Sequence, residues 1–173
     1  SVTNILFSQR RANYGELVGF SYGGPIGNER YYVDPEIKSI YEGLSAAFPN
    51  RNVSLQGQNE DFSRVLFTVS SSTNPPVHYL LVDRSKVALV GAERPWVDSD
   101  ALRETEFTSY TARDGLEIPA YLTLPKGWTR ADGPIPAIIH PHGGPWARDR
   151  GGWDASGWTQ FLATRGYAVL QPQ

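Results

Sequence analysis

Two short stretches hold residue types able to do covalent chemistry. Gly19-Phe20-Ser21-Tyr22-Gly23 spells G-x-S-x-G, the pattern in which a serine on a sharp strand-to-helix turn presents its hydroxyl as a nucleophile. His140-Pro141-His142-Gly143-Gly144-Pro145-Trp146 carries two adjacent glycines, which let the backbone turn tightly and present N–H groups that no Cβ shields. Such N–H groups can hold the oxyanion of an acyl-transfer intermediate, a contribution of about 3–4 kcal/mol per donor. A purely structural alternative for Gly143 and Gly144 is a tight turn and nothing more.

The residues around Ser21 decide against a nucleophile. A catalytic elbow needs a helix to begin directly after the serine, so that the helix N-terminus supports the neighbouring oxyanion donor. Pro25 would be tolerated in a first turn, but Gly23, Gly24, Gly27 and Asn28 make a helix there costly, at up to ~1 kcal/mol per glycine. The segment Glu29 to Asp34 then alternates like a returning strand. Strand, loop, strand is the expected local structure. Chain order agrees, because in α/β-hydrolases the Gly-rich oxyanion loop precedes the nucleophile, whereas Ser21 lies far upstream of His142.

Other chemistry is less well supported. His140-x-His142 at a strand end could begin a metal site, but only His78 remains as a third imidazole and no carboxylate stands at a diagnostic spacing, so no metal and no cofactor are expected. His140 reads as a satisfied core histidine. Arg148 could meet a substrate carboxylate and Trp146 could line a pocket. For Arg148, Asp149 and Arg150 solvated or structural roles are the commoner case, as packing is for Trp146, Trp153 and Trp158.

The elements that must position these residues change character along the chain. Residues 1–104 contain short alternating runs separated by turn clusters, the pattern of a meandering antiparallel sheet. Strands are predicted over Leu17–Tyr22, Arg30–Val33, Arg64–Ser70, His78–Asp83 and Lys86–Val90. One helix interrupts them, capped by Asp34, opened by Pro35 and carrying Ile37, Ile40, Tyr41, Leu44 and Phe48 on one face. From Glu104 two alternating strands flank Asp114-Gly115, a hairpin dipeptide. Ile135 to His140 reads as a buried parallel strand, Ala155 to Arg165 as a helix capped by Asp154 that buries Trp158, Phe161 and Leu162, and Tyr167 to Gln171 as a second buried strand. Strand, loop, helix, strand is a βαβ unit, with its ligand-facing loop at the carboxyl end of the first strand. The last strand is expected to leave an open sheet edge.

Composition bounds the possibilities. The 173 residues are 40% hydrophobic and 20% charged, enough to bury one ordinary core or parts of two. A net charge of −2, with basic residues scattered along the chain and not gathered in a stripe, offers no footprint for nucleic acid. No run approaches the roughly eighteen apolar residues of a membrane span, so neither partner is expected. The absence of cysteine excludes disulfides, thiolate ligands and cysteine nucleophiles while leaving the compartment open, cytoplasmic or periplasmic. A chain that opens Ser-Val-Thr and stops as an apolar strand finishes reads as an internal fragment.

Three segments taken in order, FTSYTARDGLEIPAYLTLPKG, IPAIIHPHGGPWARD and GWTQFLATRGYAVLQPQ, resemble the interdomain junction of the prolyl oligopeptidase family of serine peptidases, closest to its acylaminoacyl-peptidase and dipeptidyl-peptidase-like branch. SRVLFTVSSSTNPPVHYLLVDRSKVALVG resembles late propeller blades. The resemblance implies a mixed fold, with antiparallel β-propeller blades over 1–104 followed by the N-terminal part of an α/β-hydrolase sheet over 105–173. It further implies an oxyanion loop at His142, Gly143 and Gly144, a Ser-His-Asp triad beyond residue 173, a short peptide as substrate, and the remainder of the protein or a second copy as partner. The family's other branches carry tyrosine where this chain has His142, which leaves open whether a glycine N–H or the His142 ring is the donor. A carboxylesterase-like hydrolase and a non-catalytic hydrolase-like scaffold are the alternatives.

Overall fold

The structure, a computed structural model, describes residues 2–24, 27–144 and 146–173. It is mostly antiparallel sheet with few helices. Strands β1 (Val2–Phe7), β2 (Leu17–Gly24) and β3 (Gly27–Tyr32) form a three-stranded antiparallel sheet in chain order. β2 and β3 pair in register from Gly19↔Tyr32 to Gly24↔Gly27. Pro25 and Ile26, in the turn argument above, lie outside the described residues. The strands approach closely at Gly19, where a Cβ would come within 2.4 Å of the Tyr31 carbonyl oxygen.

Helix α1 (Pro35–Ala47) forms where the apolar spacing predicts it. One Asp34 carboxylate oxygen accepts from the N–H groups of Glu36 and Ile37, both at 2.9 Å, which satisfies two of the donors that a helix start leaves free. Ile37, Ile40 and Leu44 are its buried face. They pack towards a second antiparallel meander, β4 (Asn52–Gln58), β5 (Arg64–Ser70), β6 (Val77–Val82) and β7 (Lys86–Ala92), joined in chain order. One core unites helix and sheets: Val18 and Tyr32 from the first sheet, Ile37, Ile40 and Leu44 from α1, and Val53, Val65, Phe67, Val69 and Leu81 from the second. Phe67 is fully buried and stacks on Tyr79 at 5.5 Å between centroids, with Phe48 against both. The sequence reading passed over β1 and β4; in β4 only Val53 and Leu55 are large and apolar, too few for a strand pattern to stand out.

The third sheet has the order β10-β11-β9-β8, from β8 (Thr105–Thr111), β9 (Glu117–Thr123), β10 (Ala137–Ile139) and β11 (Ala168–Pro172). β8 and β9 are the expected hairpin, with Gly115 at φ +89° in its turn. β10 and β11 run parallel, joined through helix α2 (Trp158–Ala163), so the βαβ unit is present. Its details correct three expectations. β11 does not leave an open edge, because it lies between β9 and β10 and is hydrogen-bonded to both. Among the described residues the edges of this sheet are β8 and β10, and β10 is not a buried strand: Ala137 and Ile139 are exposed. Finally, α2 buries Thr159, Gln160 and Ala163, whereas Trp158 is 57% exposed and Phe161 48%.

The polar face of α2 turns inward because it meets backbone groups that need partners. Gln160 donates through Nε2 to the carbonyls of Arg103 at 2.7 Å and Ser72 at 3.1 Å, and accepts from the Arg103 N–H at 2.8 Å. The Ser72 hydroxyl in turn accepts from the Thr105 N–H. Elsewhere the Tyr121 hydroxyl donates to the Gly24 carbonyl at 3.1 Å, tying the end of β2 to β9. Among the described residues no helix is long and apolar enough to cross a membrane.

Candidate functional site

Ser21 sits in the middle of β2, opposite Asn4 on β1 and Arg30 on β3, and is 6% exposed. Its hydroxyl shares a hydrogen bond of 3.0 Å with that of Thr3. The next α-helix begins at Pro35, after a whole further strand. With no helix start behind it and no imidazole bonded to it, this serine has neither the exposure nor the base that activates a nucleophile.

The loop after β10 has the opposite character. The parallel ladder continues one step past β10, as the His140 N–H donates to the Leu170 carbonyl at 2.8 Å. The chain then leaves the carboxyl end of the sheet, and Gly143 and Gly144 are exposed. The two glycines are needed for different reasons. Gly144 has φ +139°, in the region that L side chains avoid, and a Cβ there would meet the Ala147 N at 2.9 Å and the Trp146 N at 3.0 Å. A Cβ on Gly143 would meet nothing within 4 Å among the described residues, which leave the space above this backbone open. Neither glycine N–H finds an acceptor among the described residues. His142 turns its ring onto its own loop, Nδ1 to the Gly143 carbonyl oxygen at 2.7 Å. Pro145 lies outside the described residues.

The other residues singled out in the sequence scatter around this loop. Trp146 is 96% exposed and is not enclosed in a pocket. Arg148 is exposed and joins none of the ion pairs among the described residues. His140 is not a satisfied core histidine: it is only half-buried, and its Nδ1 is shielded from solvent without a partner among the described residues. The Asp149 Oδ2 and Trp153 Nε1 atoms share that condition. His78, the third imidazole, lies on β6 between the Thr68 hydroxyl (3.0 Å) and the Glu93 carboxylate (3.3 Å), in a different sheet from the loop. No group of three or more His, Asp or Glu side chains gathers as a metal site among the described residues.

Behind the loop, Asp154 organises the approach to α2. It accepts from the Ser156 N–H and hydroxyl and from the Thr159 N–H. Burial pushes its carboxyl up, but the hydrogen bonds from Ser156 and Thr159 outweigh that and leave it below the usual carboxylate range. Between the loop region and the second sheet runs a cleft of about 440 Å³ whose lining includes Arg51, Ser72, Glu104 and Gly152. Sequence reasoning missed the Gln160, Arg103 and Ser72 cluster beside it. No local spacing signals a bond whose partners are so far apart in the chain.

The chain has recognisable relatives. It is 36% identical over 145 residues to dipeptidyl aminopeptidase BIII of Pseudoxanthomonas mexicana, a match covering 80% of this chain and 20% of that protein. To dipeptidyl peptidase family member 6 of Caenorhabditis elegans it is 34% identical over 143 residues, covering 71% of this chain and 19% of the other. The chain thus spans about a fifth of the length of the curated relatives it matches. Among solved structures it superposes on dipeptidyl peptidase 4 of Porphyromonas gingivalis with a TM-score of 0.64 and 17% identity, over 100% of this chain and 24% of that one. A prolyl endopeptidase gives 0.61 at 18% identity, again over 100% and 24%, and an acylaminoacyl peptidase of Pyrococcus horikoshii 0.59 at 16%, over 99% and 25%. At these identities the structural likeness speaks for the fold. No family model matches the chain.

Proposed function

Starting from a chain that is related in sequence to dipeptidyl peptidases and shares its fold with prolyl oligopeptidase family enzymes, we propose that it carries the junction of a propeller and an α/β-hydrolase domain in a serine peptidase. Residues 1–104 are then the end of the propeller and 105–173 the opening strands of the catalytic domain. His142, Gly143 and Gly144 form its oxyanion loop.

The observation that carries this reading is the backbone at Gly143 and Gly144. Directly past a parallel strand, one glycine is required by its positive φ and the other leaves space open to the described residues, above N–H groups that no acceptor among them occupies. Such donors stabilise the negative oxygen of a tetrahedral intermediate when aimed at the position that oxygen takes up, and they need no reorganisation during the reaction. The nucleophile and its Ser-His-Asp partners are supplied from outside these 173 residues, since Ser21 is buried in a strand. The peptide bond is cleaved through an acyl-enzyme, with short peptides as the substrates that a propeller admits. Trp146 and Arg148, exposed beside the loop, are available to a peptide there.

Two experiments test the proposal together. Kinetics of the full-length protein on short peptide anilides should show turnover of the amide bond; hydrolysis of simple esters with no turnover of peptide anilides argues for an esterase. A fluorophosphonate probe with peptide mapping should leave Ser21 unmodified. Stoichiometric label on Ser21 would overturn the assignment.

A further inference from the structure

Resting on the oxyanion-loop reading, we propose that His142 is a positioning residue whose ring fixes the peptide between Gly143 and Gly144 and does not itself donate to the oxyanion. A carbonyl oxygen only accepts, so the 2.7 Å contact to Gly143 requires that Nδ1 carry the proton. In the neutral ring the other nitrogen, Nε2, is then left with a lone pair and has no hydrogen to offer an oxyanion. The ring is occupied, and in the wrong tautomer for a donor.

What the contact does instead follows from the peptide bond. The Gly143 carbonyl and the Gly144 N–H belong to one planar trans unit and point in opposite directions. Holding the oxygen therefore aims the N–H. That restraint matters more here than in an ordinary loop, because two successive glycines have no side chains to limit their dihedral angles. Gly143, with none of the described residues within 4 Å of an ideal Cβ, gains no packing from them that would hold its peptide plane. The Gly144 N–H has no other partner among the described residues that would fix its direction. His142 supplies the one side-chain hydrogen bond to this peptide among them.

The two roles of the ring are separable, because asparagine places an amide N–H near the Nδ1 position and glutamine near Nε2. In the full-length protein, which supplies the nucleophile, assayed on a short peptide substrate, His142→Ala and His142→Gln should lower kcat by roughly 10- to 100-fold, as expected when a misplacement of about 1 Å costs up to ~10²-fold. KM should stay within about twofold of the parent, and His142→Asn should restore most of the rate. Rescue by glutamine and not asparagine, or equal losses in both, would overturn the positioning role. So would unchanged kcat in all three while Gly144→Ala remains impaired, an outcome that leaves the oxyanion loop itself standing. If Gly144→Ala is also unimpaired, the oxyanion-loop reading has failed and the role of His142 with it. A readout independent of turnover is ¹⁵N NMR of the imidazoles at neutral pH: the His142 ring should carry its proton on Nδ1, and a ring protonated on Nε2 contradicts the inference whatever the kinetics.

Discussion

Between residues 2 and 92, the core is built from large apolar side chains that recur at helical or strand spacing, although those of β1 and β7 stay largely exposed. Ile37, Ile40 and Leu44 line one face of α1, and Val65, Phe67 and Val69 alternate along β5 into the same core. Between residues 105 and 173 that correspondence fails. The buried set there is small or polar, with Ala120, Thr123, Thr159, Gln160 and Ala163 beside Tyr121 and Val169, while Leu116, Ile139, Trp158 and Phe161 face outward. The first region is held by burial of large hydrophobic groups, the second by strand ladders and by hydrogen bonds that reach across to the first. In the second region the residue that matters is the one whose polar atoms have distant partners.

Substitutions can break this contrast. The largest effect is expected in the first region: Phe67→Ala removes a fully buried ring and should cost about 3–5 kcal/mol in denaturant unfolding. In the second, the order of effects should be inverted relative to hydrophobicity. Gln160→Leu strands the N–H of Arg103 and the carbonyls of Arg103 and Ser72, and should cost roughly 2–3 kcal/mol, whereas Trp158→Ala on the exposed side of the same helix should stay within about 0.5 kcal/mol. If Trp158→Ala proves the more damaging of the two, the hydrogen-bonded account of α2 is wrong.

Titration sharpens the comparison, since each region holds one well-placed acid with a different cause. The Tyr32 hydroxyl is pushed up to about 12, first by burial and further by Tyr41, with Arg30 opposing. A group raised in the folded state stabilises fully below its unfolded value near 10 and loses that contribution as pH climbs towards 12. Alkaline unfolding should therefore steepen across that window and flatten in Tyr32→Phe. Asp154 is lowered, so its contribution is present above its ordinary carboxylate range and is lost as pH falls through the lower folded value. Asp154→Ala should cost about 1 kcal/mol at neutral pH and less in acid, as followed by thermal melts across pH.

Much of this was legible in the sequence wherever local physics decides. The cap at Asp34, the face of α1, the Asp114-Gly115 hairpin, and the strand, loop, helix, strand order at the end all come from interactions a few residues apart. The reading of GFSYGG as strand and not elbow has the same origin, since the glycines after Ser21 speak against a helix, but β2 runs on through Gly23 and Gly24 where a turn is expected. What escaped the sequence depends on neighbours distant in the chain. The insertion of β11 between β9 and β10 leaves β8 and β10 as the edges of the sheet among the described residues, and no periodicity within Tyr167 to Gln171 encodes which strands will flank it. The helical spacing of Trp158 and Phe161 predicts a core face, but the other face of α2 has the Arg103 and Ser72 backbone to satisfy. At the loop, the two glycines announce a turn at the carboxyl end of a strand, whereas the grip of His142 on the Gly143 carbonyl is a matter of side-chain direction.

The central claim is that chemistry in this chain resides at His142-Gly143-Gly144 and not at the G-x-S-x-G of residues 19–23. Measuring kcat for Ser21→Ala and Gly144→Ala side by side on one peptide substrate, in the full-length protein that supplies the nucleophile, tests it most directly. The account predicts that Ser21→Ala keeps the parental rate within a few-fold, while Gly144→Ala loses about 10²-fold as the oxyanion donor is displaced. The reverse pattern, a dead Ser21→Ala beside an active Gly144→Ala, would contradict it.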